Sequence, residues 1–223
     1  MTVLYEDNHL IAVAKQAGDI VQGDKTGDVP LSDMVKAYLK DKYQKPGNVY
    51  LGVVHRLDRP VSGVVLFAKT SKALPRLNKM FAEHKGVRKT YLAIVCNRPP
   101  EAEGTLTHWL TRNEAKNIAR AYDHEVPGSK KAVLHYRLVG SSEHYFLLEV
   151  ELHTGRHHQI RCQLAKMGCP IKGDLKYGAP RSNPDGSISL HAWRLELEHP
   201  VSHIHVSIEA PVPDERLWRE IAP

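Results

Sequence analysis

The sequence has none of the features that mark a membrane, secreted or disulfide-stabilised protein. It contains no apolar run approaching the roughly 20 residues that a membrane helix needs, and residues 1–9 lack the basic segment and apolar stretch of a signal peptide. Its three cysteines, Cys96, Cys162 and Cys169, include no C-x-x-C pair, which argues against a disulfide framework and a cysteine-based zinc site. We therefore expect a cytoplasmic protein with reduced thiols.

Several catalytic signatures are also missing. There is no glycine-rich phosphate loop of the Walker or dinucleotide type. No G-x-S-x-G motif is present and Ser62 has no obvious base beside it, so a serine hydrolase is poorly supported. Because no internal repeat, low-complexity tract or linker interrupts the chain, we expect residues 1–223 to form a single domain.

What the sequence does have is an excess of positive charge. The 31 lysines and arginines outnumber the 25 aspartates and glutamates, and 14 histidines add to the positive charge at lower pH. A basic surface fits an anionic partner, of which nucleic acid is the commonest. Charge alone leaves open the alternative of a basic protein with no such partner.

Strand-like and helix-like segments are interspersed without a regular alternation. Apolar patterning predicts two strands around a turn within 3–15, and further strands at 63–69, 89–97, 131–139, 145–152, 188–200 and 203–211. Helical spacing predicts helices at 31–43, at 155–168, at 214–221 and after Ser71, which is expected to be an N-cap. Residues 98–128 are expected to form short strands and exposed loops. The pattern predicts an α+β fold with a mainly antiparallel mixed sheet and flanking helices.

One carboxylate lies in a charged segment, His55-Arg56-Leu57-Asp58-Arg59, next to the apolar run 64–68. Two arginines facing Asp58 would favour its ionised form. Neighbouring residues of a strand point to opposite faces, however, so a more distant cation is another candidate partner. A fixed carboxylate can act as a nucleophile toward a sugar or base carbon, whereas a surface ion pair would contribute little. The spacing leaves both interpretations open.

A second basic cluster, TGRHHQIR, places Arg156, His157, His158 and Arg161 at the start of a predicted helix. A helix N-terminus beside arginines can bind phosphate. Adjacent histidines on a helix point about 100° apart and do not easily chelate one ion. Since the segment has neither H-x-x-x-H spacing nor an acidic partner, no metal site is predicted.

Tyr91 lies on one face of a predicted strand together with Lys89 and Ala93. A buried tyrosine with a hydrogen-bonded hydroxyl is the commoner role for such a residue. If that face borders Asp58, the phenol ring could instead stack on a base that has left its helix.

Five segments of the chain resemble, in the same order, the conserved blocks of the RluA-type pseudouridine synthases. HRLDRPVSGVVLFAKT, residues 55–70, resembles the H-R-L-D-x-x-T-S-G block, and residues 154–178 resemble T-G-R-x-H-Q-I-R…G-x-P-I-x-G-D-x-x-Y-G. Residues 5–22, 89–95 and 190–200 resemble the remaining blocks. Together the segments span nearly the whole chain. The match begins at Tyr5, so no N-terminal S4 RNA-binding domain is expected.

The resemblance implies conversion of a uridine in structured RNA to pseudouridine, without metal or cofactor. Ribosomal RNA is favoured as the substrate and tRNA is the other candidate. The family's catalytic aspartate corresponds to Asp58, the tyrosine that contacts the base to Tyr91, and the basic residue paired with the aspartate to Arg161. Arg56 would then be available to RNA. The uridine would have to leave its stack to reach Asp58.

Further substrate-binding positions are expected in the same blocks: His55, Arg56, Leu57, Arg59, Ser62, Gly63, Lys89, Arg156, His158, Ile160 and Leu190. The chain departs from the family pattern at Val61, where threonine is usual, and at Ala14 and Gln16 around Lys15. We expect a monomer with no obligate protein partner.

Two alternatives to the enzyme remain. The first is a non-catalytic RNA-binding or RNA-folding protein on the same fold, although a carboxylate in a basic groove would repel phosphate. The second is a metal-dependent hydrolase that uses the histidines.

Overall fold

The computed structural model describes residues 1–222, which divide into two compact units. The first unit comprises Met1–Arg88 and Ala192–Pro211, and the second comprises Lys89–His191 and the chain from Val212 onward. Within the described residues, no helix is long and apolar enough to cross a membrane. A single domain over 1–223 stays a prediction.

The secondary structure is rich in strands. The strands are β1 (Thr2–Glu6), β2 (Leu10–Lys15), β3 (Gly52–Val53), β4 (Ser62–Ala68), β5 (Val87–Val95), β6 (Glu103–Asn113), β7 (Ile118–Tyr122), β8 (Lys130–Ser141), β9 (Phe146–Leu152), β10 (Leu190–Glu198) and β11 (His205–Glu209). The helices are α1 (Leu31–Lys42), α2 (Ala73–Glu83), α3 (Gln159–Lys166) and α4 (Arg216–Ile221), with a 3₁₀ turn at Leu175–Tyr177. Pairs β1/β2, β2/β4, β3/β4, β5/β9, β6/β7, β6/β8, β8/β9 and β10/β11 are all antiparallel. The predicted α+β fold with a mainly antiparallel sheet is confirmed.

In the first unit the sheet order is β1-β2-β4-β10, with β3 beside β4 and β11 beside β10. Every residue of β2 and β4 is buried, as the near-continuous apolar run at 63–69 predicts for a strand covered on both faces. Helix α2 packs Leu77 and Phe81 onto this sheet. The segment that carries Asp58 therefore leads directly into β4, a strand buried in the core of this unit.

Gly63 is required where β4 meets β10. Its φ is +123°, and a Cβ built there would lie 2.2 Å from the carbonyl oxygen of Ala192. No side chain fits this approach of two backbones, so glycine at this position has a structural reason. Its predicted role in binding substrate stays a prediction.

In the second unit the strand order is β5-β9-β8-β6-β7. One face of the β6–β7–β8 portion packs on α3, through a cluster of Leu110, Ala119, Ala132 and Cys162. The β8/β9 pairing shifts register between Leu138 and Gly140. This sheet therefore supports the helix that carries Arg161.

Three sequence predictions differ from the structure. Helix α3 begins at Gln159, not at Gly155, because His158 adopts a left-handed conformation with φ 51°. Ser71 is not an N-cap: α2 begins at Ala73, and its first N–H donates to Thr70 Oγ1 at 3.3 Å. Residues 98–128 contain a long strand, β6. The apolar pattern did not predict it, because its alternate positions are polar.

Candidate active site

Asp58 lies in the first unit, in the segment 54–61 that joins β3 to β4. The backbone turns there, with the N–H of Val61 donating to the carbonyl oxygen of Asp58 at 3.0 Å. Leu57 and Ser62, on either side of this turn, are buried. The side chain of Asp58 is half-buried. The turn is thus fixed from both ends by the core of the unit.

Lys15 anchors the same turn. The sequence did not indicate a role for this residue. Its side chain is 1% exposed, and its Nζ donates to the carbonyl oxygens of Gln16, Arg59 and Val61 at 3.0, 3.0 and 2.6 Å. Burial lowers its pKa to about 8, against the attraction of Asp19 and Asp58. The lysine therefore holds the two residues around Pro60 by their backbones and places a positive charge near Asp58.

Arg59, the arginine that follows Asp58, points away into the loop 16–30. Its guanidinium bonds Asp28 at 2.7 Å and Asp24 at 3.3 Å, and also reaches Thr26 Oγ1 at 2.9 Å. The hydrogen bond from Arg59 is the largest cause of the lowered pKa of Asp28. The pKa of Asp24 is lowered mainly by hydrogen bonds from Thr26, with a smaller contribution from Arg59. The side chain of Arg59 therefore secures a loop. Its predicted contact with RNA stays a prediction.

His55 and Arg56 differ in environment. The Nε2 of His55 accepts a hydrogen bond from the backbone N–H of Leu66 at 3.0 Å, and its ring lies 5.0 Å from that of Phe81. Since Nε2 accepts, this ring is neutral with its proton on Nδ1. Arg56 is exposed. His55 thus ties the segment to β4 and α2, and Arg56 faces solvent.

Tyr91 and Lys89 lie in the second unit on β5, where they pair with Val150 and Leu152 of β9. They share a face of the strand, as predicted from their spacing. Both are half-buried, and burial lowers the pKa of Lys89 to about 8. Leu190, at the start of β10, is buried, as is Ile160 on α3.

Arg161 is buried in the second unit and forms a bidentate ion pair with Asp174. Nε donates to Oδ2 at 2.7 Å and Nη2 to Oδ1 at 2.9 Å, while Asp174 is 1% exposed. The guanidinium carbon also lies 5.1 Å from the ring centre of Tyr177. The expected pairing of Arg161 with Asp58 stays a prediction.

Arg161 also fixes the tautomer of His158. Its Nη1 donates to Nε2 of His158 at 3.1 Å, so the imidazole proton must sit on Nδ1. That Nδ1–H then donates to the hydroxyl oxygen of Tyr177 at 2.7 Å, which also accepts the N–H of Ala119 at 2.8 Å. Burial raises the pKa of Tyr177 to about 12, so the phenol stays neutral.

The predicted motif TGRHHQ is organised around the side chain of Gln159. Its Oε1 accepts hydrogen bonds from Thr154 Oγ1 at 2.8 Å and from the N–H of Arg156 at 2.9 Å, and its Nε2 donates to Val133 at 3.1 Å. Arg156 is exposed and donates from Nε to the carbonyl oxygen of Lys131 at 2.9 Å. The loop before α3 is therefore held by amide contacts that sequence spacing did not show.

Each unit thus brings part of the predicted set together. The first collects His55, Leu57, Asp58, Ser62 and Gly63 around one turn. The second collects His158, Ile160 and Arg161 at the start of α3. The sequence reasoning missed Lys15, Asp174 and Tyr177. The last two belong to the block G-D-x-x-Y-G at 173–178, so the signal for them was present in the sequence.

Comparison with known proteins identifies the family of the chain. The family model described as RNA pseudouridylate synthase matches residues 9–166, and the chain belongs to this family of RNA isomerases. An uncharacterised RNA pseudouridine synthase of Synechocystis is 36% identical, covering 96% of this chain and 66% of that protein. Ribosomal large subunit pseudouridine synthase D of Nitrosomonas europaea is 34% identical, covering 96% of this chain and 63% of its own length.

A third relative is tRNA pseudouridine synthase C of Pectobacterium carotovorum, which is 32% identical over 94% of this chain and 58% of that protein. The chain thus spans about two thirds of the length of the curated relatives it matches, or less. Among solved structures, human RNA pseudouridylate synthase domain containing 4 superposes with a TM-score of 0.78 at 22% identity, covering 96% of this chain and 89% of that one. This likeness concerns the fold.

Proposed function

We propose that this protein isomerises a uridine of structured RNA to pseudouridine with Asp58 as the catalytic carboxylate. The bond from C1′ to N1 breaks, a bond from C1′ to C5 forms, C5 loses its proton and N1 gains one. The observation that carries the proposal is the family match over residues 9–166, which includes Asp58 on its lysine-anchored turn. Tyr91 would contact the base, and Arg161 would be the basic partner of the site.

The substrate is proposed to be ribosomal RNA, with tRNA as the second candidate, because the related proteins include synthases named for the large ribosomal subunit and one named for tRNA. We further propose a monomer that acts in the cytoplasm without a protein partner. The cysteines support the cytoplasmic assignment: Cys96, Cys162 and Cys169 are all free thiols. A non-catalytic RNA binder would have no use for a carboxylate on this anchored turn, so the enzyme is preferred.

Asp58→Asn tests the proposal. Asparagine keeps the shape of the side chain and removes the negative charge, so we expect tritium release from uridine labelled at C5 to fall to background while RNA binding persists. Ribosomal and tRNA transcripts are assayed separately, and the transcript that releases tritium identifies the substrate class.

Asp19→Asn is the matched control, since this carboxylate also acts on Lys15 but lies outside the turn. It should turn over like the wild type. Turnover by Asp58→Asn would refute the role of Asp58. A wild-type protein that binds both transcripts and releases no tritium from either would favour the non-catalytic RNA binder.

A further inference from the structure

The sheet of the second unit carries a row of aromatic and basic side chains that the proposed reaction does not use. Trp109 on β6 lies directly opposite Tyr122 on β7 and Lys131 on β8. Residues directly opposite each other in antiparallel strands project from the same face. Tyr122, Trp109 and Lys131 therefore form one continuous row across three strands, here called the Trp109 row.

This face of the sheet points away from the core. The alternate residues Leu110, Ala119 and Ala132 belong to the cluster that packs against Cys162 of α3. Because strand side chains alternate between faces, the Trp109 row lies on the outer face. Trp109 and Tyr122 are only partly buried there, and Lys131 is exposed. A tryptophan and a tyrosine are thus held on a sheet surface without contributing to this core.

Positive charge surrounds the row. Arg120, on the same face of β7, places its guanidinium 5.4 Å from the ring centre of Tyr122. Arg156 is fixed at β8 through its Nε bond to the carbonyl oxygen of Lys131 at 2.9 Å. Within residues 1–222, no carboxylate forms an ion pair with Arg120, Lys131 or Arg156. Arg120 and Lys131 therefore border the aromatic rings, and Arg156 is bound at the backbone of Lys131.

We propose that the Trp109 row is a second RNA-binding site, in which an unpaired base stacks on Trp109 and the flanking phosphates contact Arg120, Lys131 and Arg156. Aromatic side chains bordered by basic groups on a sheet are a general means of holding single-stranded nucleic acid, since every base offers a π face. The inference rests on the proposed function for its RNA partner. It adds that substrates with an unpaired nucleotide outside the reacting uridine bind more tightly than fully paired ones.

Trp109→Ile tests the stacking, because isoleucine keeps strand propensity and bulk but has no π face. The probes are a short single-stranded oligoribonucleotide and the same sequence in a duplex. We expect Trp109→Ile to weaken binding of the single strand by about 5- to 100-fold, and Trp109→Phe to weaken it much less. All variants should bind the duplex alike. Thr107 lies two residues before Trp109 on β6 and projects from the same face. Thr107→Val is therefore the matched control and should bind like the wild type.

A second measurement separates this proposal from the proposed function. With a substrate that carries an unpaired nucleotide, Trp109→Ile should raise KM and leave kcat unchanged at saturating RNA. Normal turnover with KM and single-strand affinity unchanged, and only a lowered melting temperature, would show that the row merely stabilises the pairing of β6 with β7 and β8. The proposed function would then stand without this inference.

Other outcomes are equally decisive. A protein that releases no tritium but loses single-strand binding on Trp109→Ile would refute the isomerase and support the second site. A folded wild-type protein that binds neither probe would overturn the second site.

Discussion

The guanidinium of Arg161 is held on two sides by groups of defined geometry. Asp174 takes two of its nitrogens in a parallel pair, and His158 accepts from the third. A lysine could supply the charge but not this planar fork, so arginine is required by shape as well as by charge. The proposed role of Arg161 at the catalytic site thus rests on a residue that is already rigid.

Arg161→Met should lower the free energy of unfolding by about 3–5 kcal/mol, because it leaves the carboxylate of Asp174 buried without its partner. Tritium release should fall as well. Urea denaturation gives the free energy of unfolding, and the double variant Arg161→Met, Asp174→Leu is the control. It should recover much of the stability, since no buried charge is stranded, and none of the activity. A single variant as stable as the wild type would contradict the structural role of the pair.

At the scale of elements, the end of β1 is joined to α1 and to the residue after β4 through one carboxylate. Glu6 accepts hydrogen bonds from Tyr38 and Lys42 of α1, from Tyr43 just after it, and from Lys69. Burial opposes ionisation of Glu6, but these bonds outweigh it and lower its pKa to about 2. The junction therefore depends on the charged form of a single side chain.

This junction should make the first unit sensitive to acid. The folded-state pKa of Glu6 is depressed from 4.5 to about 2, so its contribution is fully present above pH 4.5 and is lost as pH falls toward 2. We expect the wild type to lose about 2 kcal/mol more than Glu6→Gln over this interval. Urea denaturation between these pH values measures it, with Glu125→Gln, an exposed position, as the control. Parallel pH profiles of wild type and Glu6→Gln would rule out the linkage.

At the scale of the whole molecule, the net charge of +6 favours association with a polyanion. The basic residues differ in whether an acid neutralises them. Arg194 is paired with Glu209 at 2.6 Å, whereas Arg156 has no acidic partner within residues 1–222. Only basic groups that release counterions from RNA contribute to salt-dependent affinity. The two arginines should therefore differ in their effect on binding.

RNA affinity should fall by about 10-fold or more between roughly 50 and 200 mM salt, because phosphate contacts release counterions. Arg156→Gln should reduce the slope of log affinity against log salt by about 1, and Arg194→Gln should leave it nearly unchanged. Titrations of a fluorescent transcript at several salt concentrations give both slopes. Equal slopes for the two variants would show that Arg156 does not contact phosphate.

Local sequence patterns determined much of the secondary structure of this protein and its family. The apolar run at 63–69 predicts the buried strand β4, the spacing at 31–43 predicts α1, and the order of the blocks identifies the family. Each of these signals depends on neighbours within a turn or a strand, which a sequence displays directly. The same reasoning fails at Gly155 and Ser71, because the side chains of Gln159 and Thr70 make the local contacts there.

The tertiary structure alone decided which charges meet. Arg59 bonds Asp28, 31 residues earlier, the Nζ of Lys15 reaches Val61 at a separation of 46, and Arg161 pairs with Asp174 at a separation of 13. Such partners depend on strand register and on the path of loops, neither of which leaves a periodic trace in the sequence. The sequence does not distinguish a charged residue that faces solvent from one that fixes a loop or anchors a turn. Its neighbours in space are known only from the folded structure.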